Sequence, residues 1–319
     1  MKLWTSLLAV LVLLSAAGIA KAAPVDPAAD AKNKSEENAD NNGTEEEGES
    51  NTSAGEEERT GTHSWDAPAI RVEGHDSDLR EEDRIGSYGM PRWAARRRFN
   101  RCRIYVRPEG QFEFEFWSIH EVPRRSNHGS EAVGNEWQFE AEFGLPYRFQ
   151  FDLYLIFEKS GNFGALEPAE IVTELRWAPL DWGVIYTNPT LYLEYAFKNG
   201  KANKIEAKVL LGDEIVPRVH WGANLVYEHS LGGDHENTFG LVLAVSFTVI
   251  DEILSVGWEH QTEIEDSAED RGTYTDSHIT GPSIQIRPLP QMHINIVPLI
   301  GIGGHSPGMK LYMVLGWEF

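Results

Sequence analysis

The chain has 319 residues, 41% of them hydrophobic, and carries 50 acidic against 28 basic side chains, a formal charge of −22. That balance argues against a nucleic-acid partner, which needs clustered Lys and Arg facing phosphates. The one cysteine, Cys102, has no partner for an internal disulfide and lies too far along the chain to be an acylated lipoprotein start.

Residues 1–22 read as a signal peptide. Lys2 precedes an apolar run from Leu7 to Ala17, and Ala20-Lys21-Ala22 supplies the small-x-small pattern before cleavage after Ala22. Residues 23–64 read as a disordered acidic segment. The runs Glu45-Glu46-Glu47 and Glu56-Glu57-Glu58 sit among Asn, Ser, Thr, Ala and Gly without one aromatic residue, so too little apolar surface is available to offset the ordering entropy. Residues 65–110 form a partly basic lead-in holding Arg92, Arg96, Arg97, Arg98, Arg101, Arg103 and Arg107. Expected on the periplasmic side, this stretch could meet anionic headgroups or neutralise the acidic segment. Cys102, Ile104 and Val106 alternate within it, as a strand would.

From Gln111 onward strict alternation dominates, placing one set of side chains on each face of successive strands. Phe112, Phe114 and Phe116 oppose Glu113 and Glu115; Trp137, Phe139 and Phe143 oppose Glu136, Glu140 and Glu142. Phe149 to Phe157 oppose Arg148, Asp152 and Tyr154, and Ile171, Leu175 and Trp177 oppose Glu174 and Arg176. Leu191, Leu193 and Phe197 oppose Glu194 and Lys198; Ile205 to Leu211 oppose Lys204, Glu206 and Lys208; Trp221, Leu225 and Tyr227 oppose Arg218, His220 and Asn224. In the run Phe239 to Val249 the second face is small, with Gly240, Ala244 and Ser246; an uncharged solute could lie there, or a loop could pack. Leu254 to Trp258, Ile284 to Arg287, Met292 to Ile302 and Met309 to Phe319 bring the count to about twelve strands.

A soluble sandwich alternates too, with its apolar face buried, whereas a membrane barrel turns that face to lipid and the polar one to the lumen. Three features favour an all-β, antiparallel transmembrane barrel over residues 111–319. Aromatic residues mark strand ends (Tyr147, Phe157, Trp177, Trp221, Trp258), strand lengths suit a tilted span, and tight turns alternate with long loops. Ala178 to Pro189 breaks the last pattern, being long on the side expected to be short; either it folds back or the count is off there.

The final strand resembles that of bacterial outer-membrane β-barrel proteins, which end in an aromatic residue with apolar residues at alternate positions before it, here Leu311, Met313, Leu315, Trp317 and Phe319. The resemblance implies an outer-membrane location among lipid, and recognition of Leu315, Trp317 and Phe319 by the barrel-assembly machinery. More loosely, the layout looks like transporter barrels grouped with aromatic-compound (phenol) degradation.

The lumen candidates are Glu113, Glu115, Glu140, Arg148, Asp152, Glu174, Arg176, Glu194, Lys208, Arg218, His220 and Arg287, which either pair across strands or line a path screened by mixed charge. Gly304-His305-Ser306-Pro307-Gly308 fits the nucleophile pattern of hydrolases, yet it joins two strands rather than a strand and a helix, and Gly and Pro suit a hairpin. His229, Asp234, His235 and Glu236 have metal-ligand chemistry without fixed geometry, and Glu265, Asp266, Glu269, Asp270 and Asp276 lack the spacing of a calcium loop. No catalytic set, cofactor or metal is therefore expected. The reading is a barrel channel for passive passage of small solutes. The alternatives are a structural barrel whose acidic segment engages a periplasmic partner and, third, a lipid hydrolase.

Overall fold

The structure is a computed structural model that describes residues 80–124, 134–160 and 164–319; the signal-peptide and acidic-segment readings lie outside them. Two short strands, β1 (Arg84–Ile85) and β2 (Met90–Pro91), pair with each other and lead into a single helical turn, Arg92–Ala95. Twelve further strands follow: β3 (Phe112–Val122), β4 (Gly134–Leu145), β5 (Phe149–Ser160), β6 (Glu167–Trp177), β7 (Thr190–Lys198), β8 (Lys204–Val216), β9 (Val219–Ser230), β10 (Asn237–Ile250), β11 (Leu254–Asp266), β12 (Thr275–Leu289), β13 (Met292–Ile302) and β14 (Met309–Glu318). Each pairs antiparallel with its sequence neighbour, and β14 pairs with β3 to close the barrel. Closure leaves no sheet edge, so each strand finds hydrogen-bond partners on both sides.

Burial separates the barrel from the sandwich. Phe114, Leu193, Phe239, Trp258 and Ile300 on the apolar face are exposed, whereas Glu113, Glu115, Glu140 and Asp152 on the opposite face are fully buried. A water-soluble protein rarely exposes so continuous an apolar band; here it is the outer surface of a transmembrane barrel.

The end of the barrel holding Phe112 and Phe319 has the tight turns. Pro146–Arg148 joins β4 to β5, and two-residue or three-residue links join β8 to β9, β10 to β11 and β12 to β13. The discordant connection, 178–189, folds back across this end. Ala178 is fully buried, the Trp182 N–H donates to the Tyr88 carbonyl, and the Asn188 side chain donates to the Gly212 carbonyl at 2.9 Å. Its Tyr186 ring lies 6.2 Å from Trp221, and Trp221 is buried, so that residue is not part of an exposed aromatic girdle as its place at a strand end suggested.

One place in the wall is weakly laced. Pairing of β12 with β13 runs from His278↔Ile302 to Thr280↔Ile300 and resumes at Ile284↔Ile296. Pro282 and Pro298 fall in the gap, and neither has an N–H to donate. Behind the gap the inward side chains Ile279, Val297 and Leu299 pack with Trp117, Ile119, Tyr312 and Val314 into an apolar cluster.

Candidate functional site

The lumen is occupied by the chain's own residues. The basic lead-in was expected outside the barrel on its periplasmic side; residues 92–107 instead run through the interior, because the wall carries buried carboxylates that only an internal cation can match. Arg97 forms ion pairs with Glu115, Glu140 and Glu142, Arg103 lies 2.8 Å from both Glu140 and Glu142, and Arg107 pairs with Glu113 and Glu142. Three guanidinium groups thus face four carboxylates from β3 and β4, and His293 of β13 joins them at 2.7 Å from Glu113 and 3.2 Å from Glu115. The Trp117 indole N–H donates to Glu140 at 2.9 Å, and the Arg97 guanidinium lies 4.4 Å from the centre of the same ring system.

The far wall holds the segment by its backbone. The N–H groups of Asn100 and Arg101 both donate to Glu259 of β11 at 2.8 Å, and the Arg103 N–H donates to Asn224 of β9 at 2.9 Å. The Arg107 N–H donates to Gln150 of β5 at 2.7 Å. Such contacts satisfy amides that have no ladder partner, which is why Arg103 to Arg107 does not become a strand despite its alternation. Nearer the turn end, Arg92 meets Glu252 at 3.1 Å and Arg98 meets Glu81 at 2.6 Å.

Packing completes the plug. Trp93, Phe99, Cys102 and Ile104 form one apolar cluster with Val242 and Ala244 of β10, so the small inward face of that strand is where the plug packs. Trp182 of the folded-back connection sits edge-on to Trp93 at 5.5 Å and to Tyr105 at 5.1 Å. The seat itself is a cross-strand glycine pair, Gly212↔Gly222. A Cβ on Gly222 would stand 2.7 Å from the Cys102 sulfur and 2.9 Å from Ile104, closer than real side chains approach. Glycine in a strand interior marks such a close approach. A void of about 20 Å³ beside Phe99, Ile104, Glu142 and Arg176 has room for about one water. Burial pushes the Cys102 thiol well above its ordinary pKa, so it is held as an unreactive thiol.

The lumen candidates divide by position. Glu113, Glu115 and Glu140 meet the plug; Asp152, Glu174 and Arg176 form their own buried cluster, Arg176 lying 2.9 Å from Asp152 and pairing with Glu174. His220 is fully buried with its ring 4.2 Å from Trp93, and Arg287 pairs with Glu318 at 2.9 Å. Glu194 and Lys208 are half-buried, Lys208 pairing with Glu206 at 2.5 Å. Two candidates are not in the lumen. Arg148 occupies the turn after Pro146 with a positive φ and pairs with Asp181, and Arg218 occupies the β8–β9 turn, exposed. Alternation runs through a turn in sequence, but the turn's backbone breaks the two-residue period. Of the assembly-signal residues, Leu315 and Phe319 are exposed, and the Phe319 N–H donates to the Phe112 carbonyl at 2.8 Å across the closing seam.

Among the described residues two clusters place three metal-type ligands together, Glu113/Glu115/His293 and Glu115/Glu140/Glu142. Arg97, Arg103 and Arg107 already supply the positive charge there, the role a cation would otherwise fill. Of the acidic residues around the β11–β12 loop, Glu265, Glu269 and Asp270 are exposed, whereas the Asp266 carboxylate is largely covered and pairs with Arg271 at 3.3 Å. Ser306 is buried within the β13–β14 loop: its hydroxyl donates to the Ile302 carbonyl and accepts from the His278 N–H at 2.9 Å. Ser306→Ala should therefore loosen that loop by about 1 kcal/mol, seen as faster hydrogen exchange at the His278 amide, and leave lipid turnover unchanged.

Fold and interior together define a closed transmembrane barrel with a filled lumen. No family model matches the chain, and no curated protein matches it. Among solved structures it is similar to an outer-membrane channel from Pseudomonas putida F1, at 9% identity and a TM-score of 0.49, over 69% of this chain and 100% of that one. The NanC porin is similar at 12% identity and a TM-score of 0.44, over 65% of this chain and 98% of that one. The translocator domain of the autotransporter NalP from Neisseria meningitidis follows at 10% identity and a TM-score of 0.41, over 66% and 88%.

Proposed function

We propose that the protein is an outer-membrane barrel channel for passive passage of small solutes, held shut by residues 80–110 and opened when that plug shifts. The carrying observation is the plug's chemistry. A barrel built only as a scaffold needs no more than a packed core, whereas here the wall's Glu113, Glu115, Glu140 and Glu142 are matched by guanidinium groups from a separate segment. Buried ion pairs of this kind stabilise little against an apolar core but become costly when one partner leaves, so the plug shifts only where water can replace the guanidinium groups beside the wall carboxylates. With the plug withdrawn, the carboxylate-lined path would favour cations.

Location in the outer membrane rests on the exposed apolar band; on this reading an assembly factor would meet Leu315, Trp317 and Phe319 along β14 and its end. The layout's likeness to barrels grouped with aromatic-compound degradation makes phenol and other small uncharged aromatics sensible first solutes. In planar bilayers the purified chain should give a quiet baseline broken by brief openings, and liposomes carrying it should swell slowly in such solutes. Behaviour identical to protein-free membrane, in both the native chain and a plug-released variant, would leave only the structural barrel.

A further inference from the structure

At the barrel end opposite Phe319, the start of β12 and the β13–β14 loop bring together histidines on which the channel reading does not draw. We infer that Asp276, His278 and His305 form a binding site for a divalent transition metal such as Zn2+ on the outer rim.

Asp276 stands between two imidazoles. One carboxylate oxygen lies 2.9 Å from His278 Nε2 and the other 3.6 Å from His305 Nδ1. Two imidazoles and a carboxylate, with water filling the open position, form a donor set suited to zinc, copper or nickel rather than calcium or magnesium.

The surroundings fix one of the donors, His278, as metal sites require. The other ring nitrogen of His278, Nδ1, is hydrogen-bonded to Thr262 Oγ1 at 2.9 Å, which orients Nε2 toward Asp276. Outer partners of this kind set ring orientation and tautomer in metal-ligating histidines. Thr262 also meets His260 Nε2 at 2.9 Å, and the His260 and His278 rings stack at 6.3 Å, so a third imidazole stands beside the set.

The backbone joins the two halves. The His278 N–H donates to Ser306 Oγ at 2.9 Å, tying the loop that carries His305 to the strand that carries His278. The hydrolase-like motif at 304–308 thereby acquires a structural use, its serine serving as the staple beside a ligand. Drawing all three donors onto one ion takes a rotation of His305, whose side chain is 62% exposed on a loop containing Gly303 and Gly304. No strand has to move.

The test is calorimetric titration of the full-length chain, folded in detergent, with Zn2+ alone. One ion per chain is expected, with protection of residues 303–308 from hydrogen exchange when it binds. Affinity should fall about tenfold or more in Thr262→Val, and at least as far in Asp276→Asn, His278→Ala and His305→Ala. His229→Ala, at the end of β9, should leave it unchanged. Binding should weaken on acidification, because both imidazoles must be neutral to coordinate. Heat-modifiable migration establishes that each variant is a folded barrel, and His305→Ala alters only a loop tip. The site is overturned if the native chain takes up no Zn2+, if the three ligand variants bind as the native chain does, or if His229→Ala weakens binding equally.

Discussion

Arg97→Ala should turn a closed barrel into a conducting one. The Arg97 side chain is completely buried and pairs with Glu115, Glu140 and Glu142. Removing one partner of a buried ion pair costs about 3–5 kcal/mol, because the remaining charges stay desolvated without compensation. Here those charges are on the wall, where Arg103 and Arg107 still compensate them in part, and water entering as the plug shifts relieves the rest. At about 1.4 kcal/mol per tenfold, the balance between seated and released plug shifts by roughly two to three and a half orders of magnitude. Asn100, Arg101 and Arg103 still hold Glu259 and Asn224 through their backbone, so the result should be frequent openings rather than a permanently empty pore.

Two readouts check this independently. Single-channel recordings should show longer open times and a preference for cations, since the exposed carboxylates lose a guanidinium partner. Cys102, 2% exposed in the seated plug, should become labelled by a maleimide where the native chain is not. A variant that migrates as a folded barrel, stays silent and keeps Cys102 protected would mean that Arg97 does not hold the plug in place.

The strands were legible because a closed barrel writes its two environments directly into a period of two. Phe114 and Glu115, or Leu193 and Glu194, differ in chemistry because one meets lipid and the next meets the interior. Alternation alone does not choose between sandwich and barrel, being the same in both; the aromatic strand ends, the strand lengths and the tight turns alternating with long loops favoured the barrel, and the exposure of Phe114 beside the burial of Glu115 bears that out. The plug was missed for a related reason. Arg97, Arg103 and Arg107 lie before the first alternating segment, and nothing local says that a basic run will be threaded through a barrel whose carboxylates lie at Glu113, Glu115, Glu140 and Glu142. The excess of acid over base on the lumen face was a signal pointing that way, because unmatched buried carboxylates are untenable and the missing cations had to come from outside the strands. Arg148 and Arg218 were misplaced where alternation was carried into a turn. Ala178 to Pro189, too long for its side, was visible as an anomaly, and its explanation lay in Trp182, which needs Trp93 and Tyr105 as partners.

Gly212 and Gly222 carry the second large prediction, and it separates the plug's seating from its charge. They face one another on β8 and β9, with Ala244 of β10 beside Gly222, and form the shallow seat under Ile104 and Cys102. A Cβ on Gly212 would also stand 2.9 Å from the Trp221 carbonyl oxygen of the wall, whereas the nearest neighbours of one on Gly222 are the plug side chains Cys102, Ile104 and Phe99, so Gly222→Val is the informative variant: it leaves every ion pair in place chemically but fills the seat. Overpacking a close-fitted contact costs about 1–3 kcal/mol, and at Gly222 the plug can escape it by leaving. Valine also suits a strand better than glycine, so the barrel itself should melt at the same temperature or higher while the plug comes loose. Conductance and Cys102 labelling should both rise, as in Arg97→Ala, but in a barrel that has gained thermal stability. If stability falls together with plug release, Gly222 is needed by the barrel wall rather than by the plug. If stability rises and the channel stays closed with Cys102 protected, Ile104 and Cys102 do not seat the plug, and the ion pairs alone keep it in the lumen.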